Sequence, residues 1–133
     1  MAQVEKLAHA LYATFGASYD AAVFDHIAAA ETRHLSAVRI LLQRYGVSDP
    51  TAGQPVGTCT DKAAQATYDK LLAQGKQSRA AALAADQQVE RDDTADLTAA
   101  ANGLTAPDLQ QACANLLAAS QRHLTAFTRW SNR

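Results

Sequence analysis

Residues 46–60 constrain this chain more than any other stretch. Gly46, Pro50, Gly53, Pro55 and Gly57 fall in this one segment, with Ser48, Asp49, Thr51 and Thr58 between them, so no regular element is expected to run through it. A connector this long in a compact domain is uncommon and needs a structural reason. On either side the apolar residues recur at helical spacing, with two long elements before the connector and two after it. Two antiparallel pairs supply the reason. If the second and third long helices run parallel, the chain between them must cross the full length of the domain. Residues 46–60 extend to about 50 Å at most, which is more than enough.

Before the connector, Val4, Leu7, Leu11 and Phe15 lie on one stripe, and Gly16 followed by Ala17 and Ser18 predicts a stop. A second run opens at Tyr19 or Asp20. It carries Val23, Ile27, Leu35, Val38, Leu41 and Leu42 and ends at Tyr45-Gly46, where glycine suits a left-handed cap. After the connector, Thr60 or Asp61 caps a shorter helix through Tyr68, Leu71 and Leu72 to about Gln74, where Gly75 interrupts the pattern. A fourth stretch runs from Lys76 to about Ala101 and stops at Asn102-Gly103. Pro107 then sits in the first turn of a last helix carrying Leu109, Leu116, Leu117, Leu124, Phe127 and Trp130. The expected architecture is all-α: an antiparallel four-helix bundle with a long crossover and one additional short helix, forming a single domain over residues 1–133.

Composition acts mainly by exclusion. Hydrophobic residues make up 48% of the chain but aromatics only 6%, so the core must be built from alanines and medium aliphatics on closely packed helices. A net charge of -1 with scattered Lys and Arg gives no footprint for nucleic acid. No apolar run approaches the roughly 18 residues of a membrane span. Met1 leads into an amphipathic pattern without a signal-peptide profile, so a cytoplasmic location is expected; a chain already trimmed of its signal for export would read the same. Cys59 and Cys113 lack the spacing of a zinc knuckle or a redox pair and read as idle thiols.

The chemistry is carried by the glutamates, of which there are only three: Glu5, Glu31 and Glu90, one on each of the first, second and fourth helices. Glu31 and His34 stand three apart on one helical face beside apolar residues, a spacing that can grip one metal ion. Depth supplies an independent test. Glu5 and Glu31 are each thirteen residues from the turn near Ser18, so both stand roughly 20 Å from it on antiparallel neighbours. On the second hairpin Glu90 and Ser120 are each fifteen residues from Thr105, with His123 three further on. Carboxylate-bridged two-metal bundles use one Glu from each of two helices and a Glu-x-x-His from each of the other two. Ser120 stands where the second such Glu would be, and Asp93, on the face of Glu90, is its natural replacement. The candidate ligands are Glu5, Glu31, His34, Glu90, Asp93 and His123. His9, one turn after Glu5, reads as a surface histidine with a partner behind the ligands as the alternative, His26 as solvent-facing, and Tyr12 and Tyr68 as core residues with a role in oxidative or radical chemistry as the alternative.

The order of short motifs resembles a ferritin-like family of bacteria and archaea catalogued as a domain of unknown function and distantly similar to rubrerythrin and ferritin. The words are Glu5-Lys-Leu-Ala8; Glu31-x-Arg-His34 with Leu41-Leu42-x-Arg-Tyr45-Gly46; Tyr68-Asp-x-Leu71 with Gln74-Gly75; Glu90-x-x-Asp93-x-x-Asp96-Leu97; and Ser120-x-x-His123-Leu-x-Ala-Phe127. The resemblance implies a ferritin-like bundle with a di-iron centre and says little about substrate. It also implies that Ser120 is a family trait, whereas Arg91 departs from a second acid usual at that point.

The expected function is a two-metal carboxylate protein holding two Fe ions, with Mn or Zn as further candidates, and reacting with dioxygen or peroxide in the manner of a ferroxidase or peroxidase. The alternative is a non-catalytic metal-binding, storage or structural bundle. Nucleic acid and membrane are not expected partners, and a homodimer stays open.

Overall fold

The computed structural model describes all 133 residues. It is all-helical: α1 (Ala2–Ser18), α2 (Ala22–Arg44), α3 (Lys62–Gly75), α4 (Arg79–Ala101) and α5 (Pro107–Ser131), without a strand. No helix is long and apolar enough to cross a membrane.

Local signals account for most helix ends. The Asp61 carboxylate accepts from the Ala64 amide and the Ser78 hydroxyl from the Ala81 amide, so each side chain caps its helix; α4 therefore begins at Arg79, after Ser78, rather than at Lys76. Pro107 occupies the first turn of α5, and Gly46 takes the left-handed conformation (φ 65°) just past α2. Gly16 is different. It lies inside α1, which continues to Ser18; a Cβ there would meet only the tip of the exposed Asp25 side chain of α2, which can turn aside. Glycine at this point does not stop the helix.

Side-chain pairs fix the directions. Glu5 meets the level of Glu31 and Phe15 that of Phe24, so α1 and α2 are antiparallel; Asp93 with Ser120 and Glu90 with His123 show the same for α4 and α5. The hairpins meet through Tyr12 with Glu90 and through Arg44 with Asp108.

The connector takes another course than its length suggests. Residues 46–60 do not cross the molecule lengthwise; they pass round one end. Arg39 of α2 holds Asp49 at 2.8 Å, and Lys6 of α1 donates to the carbonyls of Pro55 and Thr58. The lengthwise traverse is made by α3, which starts with the Asp61 amide bonded to Gln3 of α1 and ends with the Gly75 carbonyl accepting from Tyr19. A helix satisfies its own backbone hydrogen bonds over that distance, whereas an extended strand lying on an apolar face would leave its polar groups unpaired.

The hydrophobic core is in two pieces. The larger contains Ala8, Leu11, Tyr12, Phe15, Phe24, Ile27, Ala28, Leu71, Ala82, Leu83, Ala85 and Phe127; the smaller contains Ala2, Val38, Leu97, Cys113 and Leu116. On all four long helices the residues between the two pieces include the expected ligands. A polar layer splits the core.

Candidate metal centre

The layer is buried as thoroughly as the apolar residues on either side. Glu5, Glu31 and Glu90 are 2%, 3% and 1% exposed, and Ser120 is equally hidden. Three carboxyl groups in such surroundings would be prohibitive without partners.

Glu31 is the hub. Its Oε2 is 2.8 Å from His34 Nδ1, which follows from the i,i+3 placement on α2, and its Oε1 is 3.0 Å from His123 Nδ1 on α5. The two oxygens of one carboxylate thus address the two imidazoles separately. His34 Nδ1 also lies 3.6 Å from Glu5 Oε2, and His123 Nδ1 is 3.3 Å from Glu90 Oε1. Two groups of converging donor atoms result, Glu5–Glu31–His34 and Glu31–Glu90–His123, each with its atoms within 4.8 Å of one another. The imidazole rings stack with centroids 5.5 Å apart. They are also the more exposed part of the layer, at 19% and 12% of their side chains against a few per cent for the carboxylates, so the centre opens between α2 and α5.

Asp93 belongs to neither group. It is buried near them, but its Oδ2 accepts from the Ser120 hydroxyl at 2.5 Å. The residue the sequence offers as a substitute for the missing carboxylate is bonded to the serine that replaced it. His9 is a buttress, its Nδ1 2.8 Å from the Ala28 carbonyl of α2, and His26 is exposed.

Two further buried residues adjoin the site: Tyr12, which the sequence places in the core, and Asp86, which it does not single out. The Tyr12 hydroxyl, fully buried, donates to Glu90 Oε1 at 2.8 Å; as seventh residue after Glu5 it lies two turns along the same face, a spacing that marks it as inward. Asp86, one turn before Glu90, is wholly buried, and neither of its carboxyl oxygens has a partner. Burial, reinforced by Glu90, pushes its pKa well above the usual carboxylate range, which favours the neutral acid.

Shared protons join the groups of the layer. Burial pushes Glu5 up to about 9, opposed by its hydrogen bond to His34. Burial also acts upward on Glu31, but hydrogen bonds from His123 and His34 outweigh it and hold this carboxyl below its usual range. Hydrogen bonds to Glu31 and Glu5 raise His34 to about 10; His123, lowered by burial, is carried up to about 9 by Glu31 and Glu90. Glu90 is raised to about 7, chiefly by burial. Both imidazoles thus favour the protonated form, each with Nδ1 turned to one oxygen of Glu31. Hard oxygens with two imidazoles are a donor set suited to iron, manganese or zinc.

Comparison with known proteins gives family but no activity. Residues 1–132 match a family described as an uncharacterized protein domain, DUF2202. The uncharacterized protein MJ0754 of Methanocaldococcus jannaschii is 32% identical over 132 residues, covering 99% of this chain and 71% of that protein. The crystal structure of the hypothetical protein MJ0754 superposes with a TM-score of 0.95 over 99% of this chain and 75% of that one. The match along almost the whole chain, in sequence and in backbone, makes this protein a member of the DUF2202 family.

Proposed function

We propose that Glu5, Glu31, His34, Glu90 and His123, with Asp93 beside them, hold two metal ions, iron foremost, in a ferritin-like antiparallel four-helix bundle, and that the pair reacts with dioxygen or peroxide. The observation that carries this reading is the sharing of Glu31. One buried carboxylate turns its two oxygens to two separate groups of ligands, the arrangement needed to bridge two ions. Charge agrees: Glu5, Glu31, Glu90 and Asp93 carry four negative charges when ionised, equal to those of two divalent cations.

Iron in such a site supplies redox equivalents and Lewis acidity to a bound oxidant. The chain's own residues do the rest. Glu31 sets the separation of the two positions, His34 and His123 fix one each, and Tyr12 holds Glu90 in place through its hydroxyl. The aromatic layer of Tyr12, Phe24 and Phe127 closes one side against water, while the imidazole side stays accessible.

Aerobic addition of Fe(II) to metal-free protein tests the proposal. Two iron ions per chain in elemental analysis, with oxidation faster than in buffer and a transient visible absorption, are the expected result. Two bound ions without oxidation would leave a storage or structural centre, which also suits Mn or Zn. Absence of stoichiometric binding overturns the reading.

A further inference from the structure

The smaller piece of the core leaves an apolar groove at the end of the bundle where the connector begins. The groove has a volume of about 540 Å³ and runs between the last turns of α2 and the first turns of α5, with Val38, Leu42, Leu109 and Leu116 in its walls. Ala2 and Ala112 keep it open, since neither side chain reaches far from its helix. Its rim is apolar too. Met1, Tyr45 and Val47 line it and are each about half exposed, and they are three of the five large hydrophobic residues that the molecule exposes. Single apolar residues on a surface need no explanation, but several around a concave apolar floor mark a contact site.

The charges of the rim indicate which partner fits. Arg44 and Asp108, from the two helices that form the groove, make an ion pair at 2.7 Å, and the Tyr45 hydroxyl donates to the other carboxylate oxygen at 2.6 Å. Asp49, beside the lining residue Pro50, is paired with Arg39. Neither sign is in excess, so the face suits neither a nucleic acid nor an anionic membrane surface. Both signs stand side by side instead. Such a face complements its own copy turned about a two-fold axis, which brings each Arg44 to the Asp108 of the other chain. Both side chains have capacity left. They are 55% and 34% exposed, Asp108 Oδ2 accepts only from Arg44 and keeps a second lone pair, and the guanidinium has donors that Asp108 does not use.

We propose that this groove is a self-pairing surface: two copies of the chain meet about a two-fold axis, with Val47 of each in the groove of the other and Arg44 of each against Asp108 of the other. The contact is confined to one groove and its rim, which is small for a protein interface, so a dissociation constant in the micromolar range is expected. It is independent of the two-metal reading, because none of the proposed ligands lines the groove.

Sedimentation equilibrium of the full chain at low salt tests the pairing. A monomer–dimer equilibrium is expected. Val47→Asp changes an exposed side chain, so helical content by circular dichroism should be retained while the dimer weakens at least about thirtyfold, as for a residue at the centre of an interface. Arg44→Glu and Asp108→Arg should each be monomeric alone and form a mixed dimer when combined, because each then supplies the sign the other lacks. Loss of the pair within one chain would not be repaired by mixing. A monomer at every concentration, a dimer as tight in Val47→Asp as in the wild type, or no association on mixing the two charge variants overturns the proposal. A monomer that co-sediments with neutral phosphatidylcholine vesicles, and no longer does so as Val47→Asp, would assign the groove to lipid and likewise overturn it.

Discussion

The α1–α2 and α4–α5 halves of the proposed centre have the same number of converging donor groups but obtain them differently. The first is self-sufficient: Glu5, Glu31 and His34 all come from one hairpin. The second has only Glu90 and His123 of its own and draws Glu31 from across the molecule, because the α5 counterpart of Glu31 is Ser120. A polar layer can therefore be symmetric in level and still depend on one residue for its connection. Removing ligands from each half should show this dependence.

The largest effect is expected at the hub. Glu31→Ala should lose both metals in elemental analysis, whereas His34→Ala and His123→Ala should each lose one; loss of a single ion in the Glu31 variant would mean that the halves bind independently.

The pH dependence of the metal-free protein comes next. His34 and His123, raised in the fold to about 10 and about 9 from 6.5, stabilise fully below the unfolded value, and that contribution is lost as pH rises through the folded values. Glu5, raised from 4.5 to about 9, acts with the same sign. Glu31 has the opposite sign, but its lowered pKa removes its contribution only in strong acid. The melting temperature without metal should thus fall steadily between about pH 5 and pH 10, while the increment on adding metal grows as protons become easier to displace. A flat profile would show that the histidines are not protonated in the fold.

Smaller changes concern the supports of the second half. Tyr12→Phe removes the donor to Glu90 and should cost about 2 kcal/mol in denaturant unfolding, a typical value for a hydrogen bond to a charged group. Asp86→Leu replaces an unpartnered buried acid by an apolar side chain of similar shape and should stabilise by about 1 kcal/mol. Destabilisation of similar size would reveal a partner for Asp86 beyond the protein's own groups.

Sequence reasoning reached the level and the faces of the centre because both depend on helical arithmetic. Glu5 with Glu31 and Glu90 with Ser120 are equidistant from their turns, and Glu31 with His34 has a spacing the helix must put on one face. It could not reach what depends on side-chain choice at short range. Asp93 has two oxygens and several neighbours, and only the packing of α4 on α5 decides that Ser120 takes one. Gly16 differs for a related reason: glycine before two small residues marks a helix end locally, but α1, packed against α2, continues through it to Ser18. The long connector was correctly recognised as irregular, yet its path depended on α3, whose short amphipathic pattern does not reveal which helices it joins.

Gly75 limits where α3 can settle. A Cβ at this position would run into the ring of Phe15, and the residue's carbonyl accepts from Tyr19, so the end of α3 fits at one depth along α1. That fit acts as a gauge for the whole crossover. With one end of α3 seated at Phe15, its other end must lie beside Gln3 and Lys6, a turn or less from Glu5, and the second hairpin is delivered at the height where Glu90 meets Tyr12. A contact at one end of α3, outside the polar layer, thereby sets the alignment of carboxyl and imidazole groups from separate halves of the chain.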